Sequence, residues 1–410
     1  MNKKLVAAID FGNDKLSIAI AYKNMDNSLE LIDFWSKPLV DVSRNGILQN
    51  PNNVLMEINY YFQQAEQANN IKIGTYYFGL EPHTLRSDIQ AVACRSNGDI
   101  ATTSIKQLED EIAHNYAVDN RRVLLNKMLS LTQGANVQGD FLSVSVADRV
   151  KNSIDKITSN LSTERKMKFL VSPMVEADAF LSDIQRQNGV LFIDFGAEVT
   201  SFAVYKDGLP RLVSVLPIGG KHVTQDIACR FLIDVDVAER LKVELGVAAA
   251  EFVTEDKSYS IKETAVKLSL RELAATIEAR LCEMMDFIVR DIDDRGLGSA
   301  YETIVIAGGA SNMRYLPELL GKQTDREIVR LSHNILQHDN KFLDNTLLMA
   351  MLKQIDEDCK GVVVQRPVEQ PIVQHHSTTP KQEPKARRKS FWDKFSGMQG
   401  MFDEDSEKSL

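Results

Sequence analysis

The sequence predicts an α/β protein of two similar lobes, with duplicated β-hairpins facing a shared cleft and a small α+β domain inserted into the first lobe. Three observations predict it. Leu5-Val-Ala-Ala-Ile-Asp10-Phe-Gly12, running on to Ile18-Ala-Ile20, is nearly repeated as Gly189-Val-Leu-Phe-Ile-Asp194-Phe-Gly196, running on to Phe202-Ala-Val204. The pattern between the two copies changes character after Gly79 and recovers at Lys168. Finally, Thr303-Ile-Val-Ile-Ala307 reads as a buried strand that ends in Gly308-Gly-Ala-Ser311.

Each copy of the repeat is an apolar strand, an Asp-Phe-Gly turn, a short polar loop and a second apolar strand. In such a hairpin the glycine lets backbone N–H groups approach an anion, and the aspartate can hold a hydrated Mg²⁺. Used twice, it suggests two lobes that face each other across a phosphate. The plainer alternative is a pair of structural hairpins with turn-forming Asp and Gly.

Bulk properties narrow the class. A chain of 410 residues suits two lobes or more. Its 44% hydrophobic content is that of a globular protein. The net charge of −9 gives the body no general affinity for nucleic acid or anionic lipid. Cys94, Cys229, Cys282 and Cys359 are scattered without a Cys-x-x-Cys pair, which points to a reducing cytoplasm and away from a metal cage. Asp10 interrupts the first apolar run, so the start does not read as a signal peptide. No window approaches the ~20 apolar residues of a membrane span.

Along the chain, Asn53 to Asn69 carries apolar residues at helical period, and Tyr76-Tyr-Phe-Gly79 reads as a buried strand. The inserted region holds short alternating strands at Ile89–Cys94 and Phe141–Val146, with amphipathic helices near Ser104–Tyr116 and Ala147–Leu161. Strand Lys168–Val171 and a helix from Pro173 lead into the second hairpin. Residues 221–300 read as mainly helical: Val223–Leu232, Val237–Leu245 and a long helix from Ser258 to Asp291. The expected organisation is a first lobe of 1–83 with returning segments 164–192 and 340–362, and an inserted domain of 84–163. A second lobe takes 193–223 and 300–339, with a helical subdomain at 224–299.

After Lys360, Pro367, Pro371, Pro380 and Pro384 sit among Gln, Ser, Thr and Lys, a composition that cannot pack a core. This linker, 363–386, precedes an amphipathic segment at 387–402. At 100° per residue, Phe391, Phe395, Met398 and Phe402 fall within roughly 60° of one another, bordered by Trp392. Arg387, Arg388, Lys389 and Lys394 supply positive charge beside that stripe. Such a segment folds on contact with anionic membrane lipids. The alternatives are a helix docked on its own body or on a partner protein.

Together these features resemble the actin/Hsp70/sugar-kinase ATPase superfamily, and three further segments resemble the FtsA family of bacterial division proteins. Leu216-Pro-Ile-Gly219-Gly220-Lys221-His-Val-Thr224-Gln-Asp226-Ile-Ala228 is similar to that family's "GG-x-x-x-T-x-DIA". Ala238-Glu239-Arg-Leu-Lys242-Val-Glu-Leu-Gly246 is similar to its "AE-x-IK-x-x-x-G", and Asn45-Gly46-Ile-Leu-Gln49 to the step before its first helix. The likeness covers 5–80, 168–355 and the tail; 84–163 matches by position and size only.

The resemblance implies an actin-like two-lobed ATPase fold that binds ATP and Mg²⁺. Asp10, Gly12, Asn13, Lys15, Asp194, Gly196 and Thr200 would meet phosphate and Mg²⁺. Glu239, Lys242, Gly308 and Gly309 would face the adenosine, with Arg280 and Glu283 lining the same pocket. It implies a division adaptor that polymerises with itself and tethers the FtsZ C-terminal peptide to the cytoplasmic face of the membrane at the division site. Residues 84–163 would serve polymer contacts and later division proteins.

The phosphate loops depart from the family pattern. Asp14 stands beside the first loop, and Ala197 and Glu198 replace two glycines in the second. Like charges 5 Å apart cost about 3 kcal/mol at an effective dielectric of 20. Relatives orient the attacking water with an acid or amide where Ser172-Pro173 stands here, so slow turnover or none is expected. Glu176, one turn on, is the weak substitute. The competing readings are a sugar- or acetate-kinase-type phosphotransferase, which would need an acid facing the cleft, and a pilus-assembly adaptor of the same fold.

Overall fold

The computed structural model describes residues 3–12, 15–38, 43–44, 47–48, 51–95, 103–133, 136–159, 165–260, 267–331 and 345–361. Asn13, Asp14, the Asn45–Gly46 step, the linker and the amphipathic tail fall outside them, and so do all the tail residues named above.

The first lobe opens with β1 (Lys4–Phe11), β2 (Lys15–Lys23) and β3 (Leu29–Pro38). The short strands β4 (Ser43–Arg44) and β5 (Ile47–Leu48) follow, then α1 (Pro51–Asn69) and β6 (Thr75–Leu80). The inserted module comprises β7 (Arg86–Arg95), α2 (Thr103–Val118), β8 (Arg121–Gln133), β9 (Asn136–Ala147) and α3 (Asp148–Ser159). The chain returns through β10 (Lys166–Val171), α4 (Ser172–Phe180) and α5 (Asp183–Asn188). The second lobe holds β11 (Val190–Phe195), β12 (Thr200–Lys206) and β13 (Leu209–Leu216). Next come α6 (Gly220–Phe231), α7 (Val235–Leu245), the small pair β14 (Ser258–Ser260) and β15 (Lys267–Ser269), and α8 (Leu270–Asp294). Finally there are β16 (Thr303–Ala307), α9 (Leu316–Thr324), β17 (Glu327–Arg330) and α10 (Thr346–Gln354).

The duplication read from the two hairpins extends to whole sheets. The first lobe orders its strands β10-β6-β1-β2-β3, and the second β17-β16-β11-β12-β13. In both, the hairpin and third strand are antiparallel and the other two strands parallel to the first. Even the register repeats, with Asp10 opposite Ser17 and Asp194 opposite Ser201. These strands read as unbroken apolar runs because both faces are covered. Leu5, Ala7 and Ile9 of β1 enter one core and Val6 and Ala8 another, beneath α10. Val190 and Phe192 of β11 likewise face one core, and Leu191, Ile193 and Phe195 the other.

Two expectations need correction. The long helix does not begin at Ser258: Ser258–Ser260 and Lys267–Ser269 pair as strands. Ser269 then caps α8 by accepting from the Glu272 amide, which fixes the helix start at Leu270. Strand β8 was not foreseen. Its register shifts at Val123/Leu125 and again at Met128/Ser130, so bulges break the period-two signal that identifies a strand.

The inserted module is joined to more than its parent lobe. Its strands continue the second-lobe sheet in the order β13-β7-β9-β8. Leu142, Val144, Val146, Val150 and Ile154 share one core with residues of both lobes.

Candidate functional site

A cavity of about 580 Å³ lies where the two duplicated sheets meet. Parallel strands present their carboxyl ends to it, the usual ligand position in such sheets. Asp10 and Gly12 come from the first hairpin turn, Glu81 from just beyond β6, and Ser172 from just beyond β10. Asp194 and Gly196 come from the second hairpin turn and Gly308 and Gly309 from the end of β16. Lys15 reaches the same space.

Four carboxyl groups converge here. Burial raises the pKa of all four, most plainly for Glu81 and Glu176, and for Glu81, Glu176 and Asp194 repulsion from neighbouring carboxyls reinforces the shift. Asp194 is pushed up to about 6, by burial and then by Asp10. Asn345 Nδ2 donates to Asp10 Oδ2 at 2.8 Å, and Lys15 draws Asp10 the other way. Thr346 Oγ1 donates to Glu176 Oε1 at 3.0 Å. Asp194 Oδ1, Glu176 Oε2 and the Ser172 hydroxyl are buried without a hydrogen-bond partner. Orphaned buried oxygens of this kind are costly unless a cation or donor arrives.

That set fits a hydrated Mg²⁺ better than a bare ion. Among the described residues no group of three or more His, Cys, Asp or Glu side chains is arranged to hold a metal directly. Mg²⁺ keeps several waters and uses one or two carboxylates plus ligand phosphates.

The glycines are required by close approach. A Cβ on Gly308, at φ +85°, would lie 2.0 Å from Asp194 Oδ1 and 2.5 Å from the Phe195 carbonyl oxygen. On Gly196 it would lie 2.7 Å from the Val199 carbonyl oxygen. The Gly-Gly turn after β16 is therefore seated directly on the second hairpin.

Other candidates stand apart from the cavity. Thr200 is buried, and its hydroxyl donates to the Ile218 carbonyl at 2.7 Å. Glu239 and Lys242 form a closed cluster with Thr224: Lys242 Nζ donates to Glu239 Oε2 at 2.7 Å, Thr224 Oγ1 at 2.9 Å and the Gly220 carbonyl at 3.0 Å. Arg280 binds both oxygens of Asp226, at 2.6 and 3.0 Å, and also pairs with Glu283. The Asp of the "DIA" segment thus has a partner on α8. Glu198 of the second loop, by contrast, does line the cavity and sits 3.5 Å from Lys221 Nζ.

Sequence reasoning missed Glu81, Asn345 and Thr346. An acid directly after a buried strand was a signal for Glu81. Asn345 before the apolar run of α10 was a cap signal: its side chain accepts from the Leu348 amide at 2.9 Å while also reaching Asp10.

Five strands of one topology repeated in two sheets, facing a cleft between paired Asp-Phe-Gly turns, define an actin-like fold. Solved structures agree. The PilM–PilN type IV pilus biogenesis complex matches at TM-score 0.63 and 14% identity, covering 85% of this chain and 97% of that one. MreB5 of Spiroplasma citri bound to ADP matches at TM-score 0.50 and 14% identity, covering 85% and 94%. Within this fold, the family model "Cell division protein FtsA" matches residues 191–348. FtsA of Pseudomonas aeruginosa is 21% identical, covering 77% of this chain and 80% of that protein. FtsA of Neisseria meningitidis serogroup B is 24% identical, covering 79% and 82%. The chain is thus similar to FtsA, by the family model over 191–348 and at low identity along most of its length.

Proposed function

We propose that this chain is a cell-division adaptor that polymerises as an actin-like protein and tethers the FtsZ ring to the cytoplasmic membrane. The observation that carries the reading is the meeting of Asp10, Asp194 and Gly308 in one cleft of an FtsA relative. Gly12, Lys15 and Gly196 would receive the phosphates of ATP, Asp10 and Asp194 would hold hydrated Mg²⁺, and Gly308 and Gly309 would let the backbone pass close to the adenosine. That ion would neutralise the charge of the two aspartates when bound. The Glu239–Lys242 cluster would meet the adenosine. Turnover would be slow: Ser172 offers a hydroxyl where a water-orienting acid is expected, and Glu176 is turned onto Thr346.

The partners proposed are those the resemblance to FtsA implies. The FtsZ C-terminal peptide would dock on the 224–299 subdomain. Self-association would form the polymer, and 84–163 would add contacts to later division proteins. The segment 387–402 would bind anionic lipids at the inner membrane face; one copy binds weakly, and many copies on a polymer bind well. Among the described residues no helix is long and apolar enough to cross a membrane.

Glu81 and Glu176, both on the cleft, favour a second reading as a phosphotransferase. One experiment separates the two. A fluorescent ATP analogue titrated with Mg²⁺ should saturate, with turnover below about 1 s⁻¹, the low end of typical enzymes. Absent binding at millimolar nucleotide refutes the nucleotide site, and fast transfer to a small acceptor supports the phosphotransferase.

A further inference from the structure

The inserted module is covalently part of the first lobe, leaving after β6 and returning at β10. Its sheet is nevertheless attached to the second lobe. The attachment between β7 and β13 is a single register pair, Arg86 with Ser214. On one side of this seam β7 and β9 pair continuously from Arg86↔Ser145 to Arg95↔Asn136. On the other, β12 and β13 pair from Thr200↔Leu216 to Lys206↔Leu209.

Side chains replace the missing ladder. Ser87 and Val213 are both fully buried, and the Val213 amide donates to Ser87 Oγ at 2.7 Å. Arg295, just beyond α8, donates to the Ser87 carbonyl at 2.8 Å and to Asp88 Oδ1 at 3.1 Å. At the same time α3 of the module lines the cleft with Val150, Ser153 and Ile154. The module therefore touches the cleft at one end and is pinned to the opposite lobe at the other.

We propose that the β7–β13 seam, pinned by Ser87 and Arg295, is a joint that couples occupancy of the cleft to the position of the inserted module. The proposal rests on the nucleotide reading above. Any change in the angle between the lobes must be absorbed where the sheet is weakest, and one backbone pair plus three side-chain bonds yields before the long ladders on either side. Among the described residues β8 is the module's edge strand, with Leu125 and Met128 exposed, so the movement is delivered to a surface able to meet another molecule.

The test is hydrogen exchange at the Val213 amide in the full chain, with and without saturating Mg–ATP, alongside a binding titration on the same sample. The expected result is at least a fivefold change in Val213 exchange while amides between β7 and β9 stay unchanged. Ser87→Ala, which removes one hydroxyl, should speed Val213 exchange and shrink the nucleotide-dependent difference. By linkage, the same variant should alter nucleotide Kd by the fold-change lost at the seam. Arg295→Ala is the second variant, with the same expectation. Saturable binding with Val213 exchange unchanged overturns the coupling alone. Failure of the parent chain to bind Mg–ATP overturns the nucleotide reading and the coupling with it.

Discussion

The cleft is built from residues whose costs are met only when something binds. Asp194 shows this most clearly. Its pKa is raised from 3.8 to about 6 by burial and by Asp10. Between those values the folded chain holds more protons than the unfolded one, so stability falls as pH rises from about 4 to about 6 and stays lower above. Asp194→Asn removes that dependence. Without nucleotide, the variant should therefore melt a few degrees higher than the parent at pH 7.5, with no such gain at pH 4, and it should lose Mg–ATP binding. Equal melting at pH 7.5 would contradict the assignment. Glu81→Gln should act in the same direction on stability yet retain nucleotide binding, since Glu81 lies on neither hairpin; calorimetric titration checks this. Gly308→Ala places a methyl on Asp194 and on the Phe195 carbonyl. It should cost several kcal/mol and abolish nucleotide binding, as read by denaturant melts and titration. Of these residues, Asp10, Asp194 and Gly308 were legible because the repeat and the Gly-Gly end are local patterns. Glu81, Asn345 and Thr346 were not, since they meet only when distant strand ends converge.

At the scale of elements, legibility followed the periodicity. Strands covered on both faces, such as β1 and β11, stood out as apolar runs, and α1 as a helical stripe. The bulged strand β8 carried no period, and the β14–β15 pair was absorbed into the helix that follows it. The amphipathic segment at 387–402 was read from residue spacing alone, and its test is functional. Changing Trp392 and Phe395 to Glu removes two aromatics worth roughly 1–2 kcal/mol each at the acyl boundary and adds two charges that an anionic leaflet repels. That double variant should leave the supernatant-to-pellet ratio with anionic liposomes at the level of a chain ending at Pro384, with nucleotide binding unchanged. Full sedimentation of either chain would locate the anchor elsewhere.

For the whole molecule, the sequence conveyed two lobes and an insertion but not how tightly the insertion is built in. The inserted domain read over 84–163 shares a core with both lobes through Val144, Val146, Val150 and Ile154, a contact between segments far apart in the chain that no local pattern encodes. Deleting the module would uncover that core, so the deleted chain should unfold or aggregate, as gel filtration and melting would reveal. A well-folded, monodisperse product would show that the lobes close over the exposed face. The proposed link between FtsZ and a membrane can be read by co-sedimenting FtsZ with anionic liposomes, the full chain and Mg–ATP. FtsZ should enter the pellet only when the full chain is present, and should fail to do so with the Trp392→Glu/Phe395→Glu variant. FtsZ remaining in the supernatant while the chain itself sediments would contradict it.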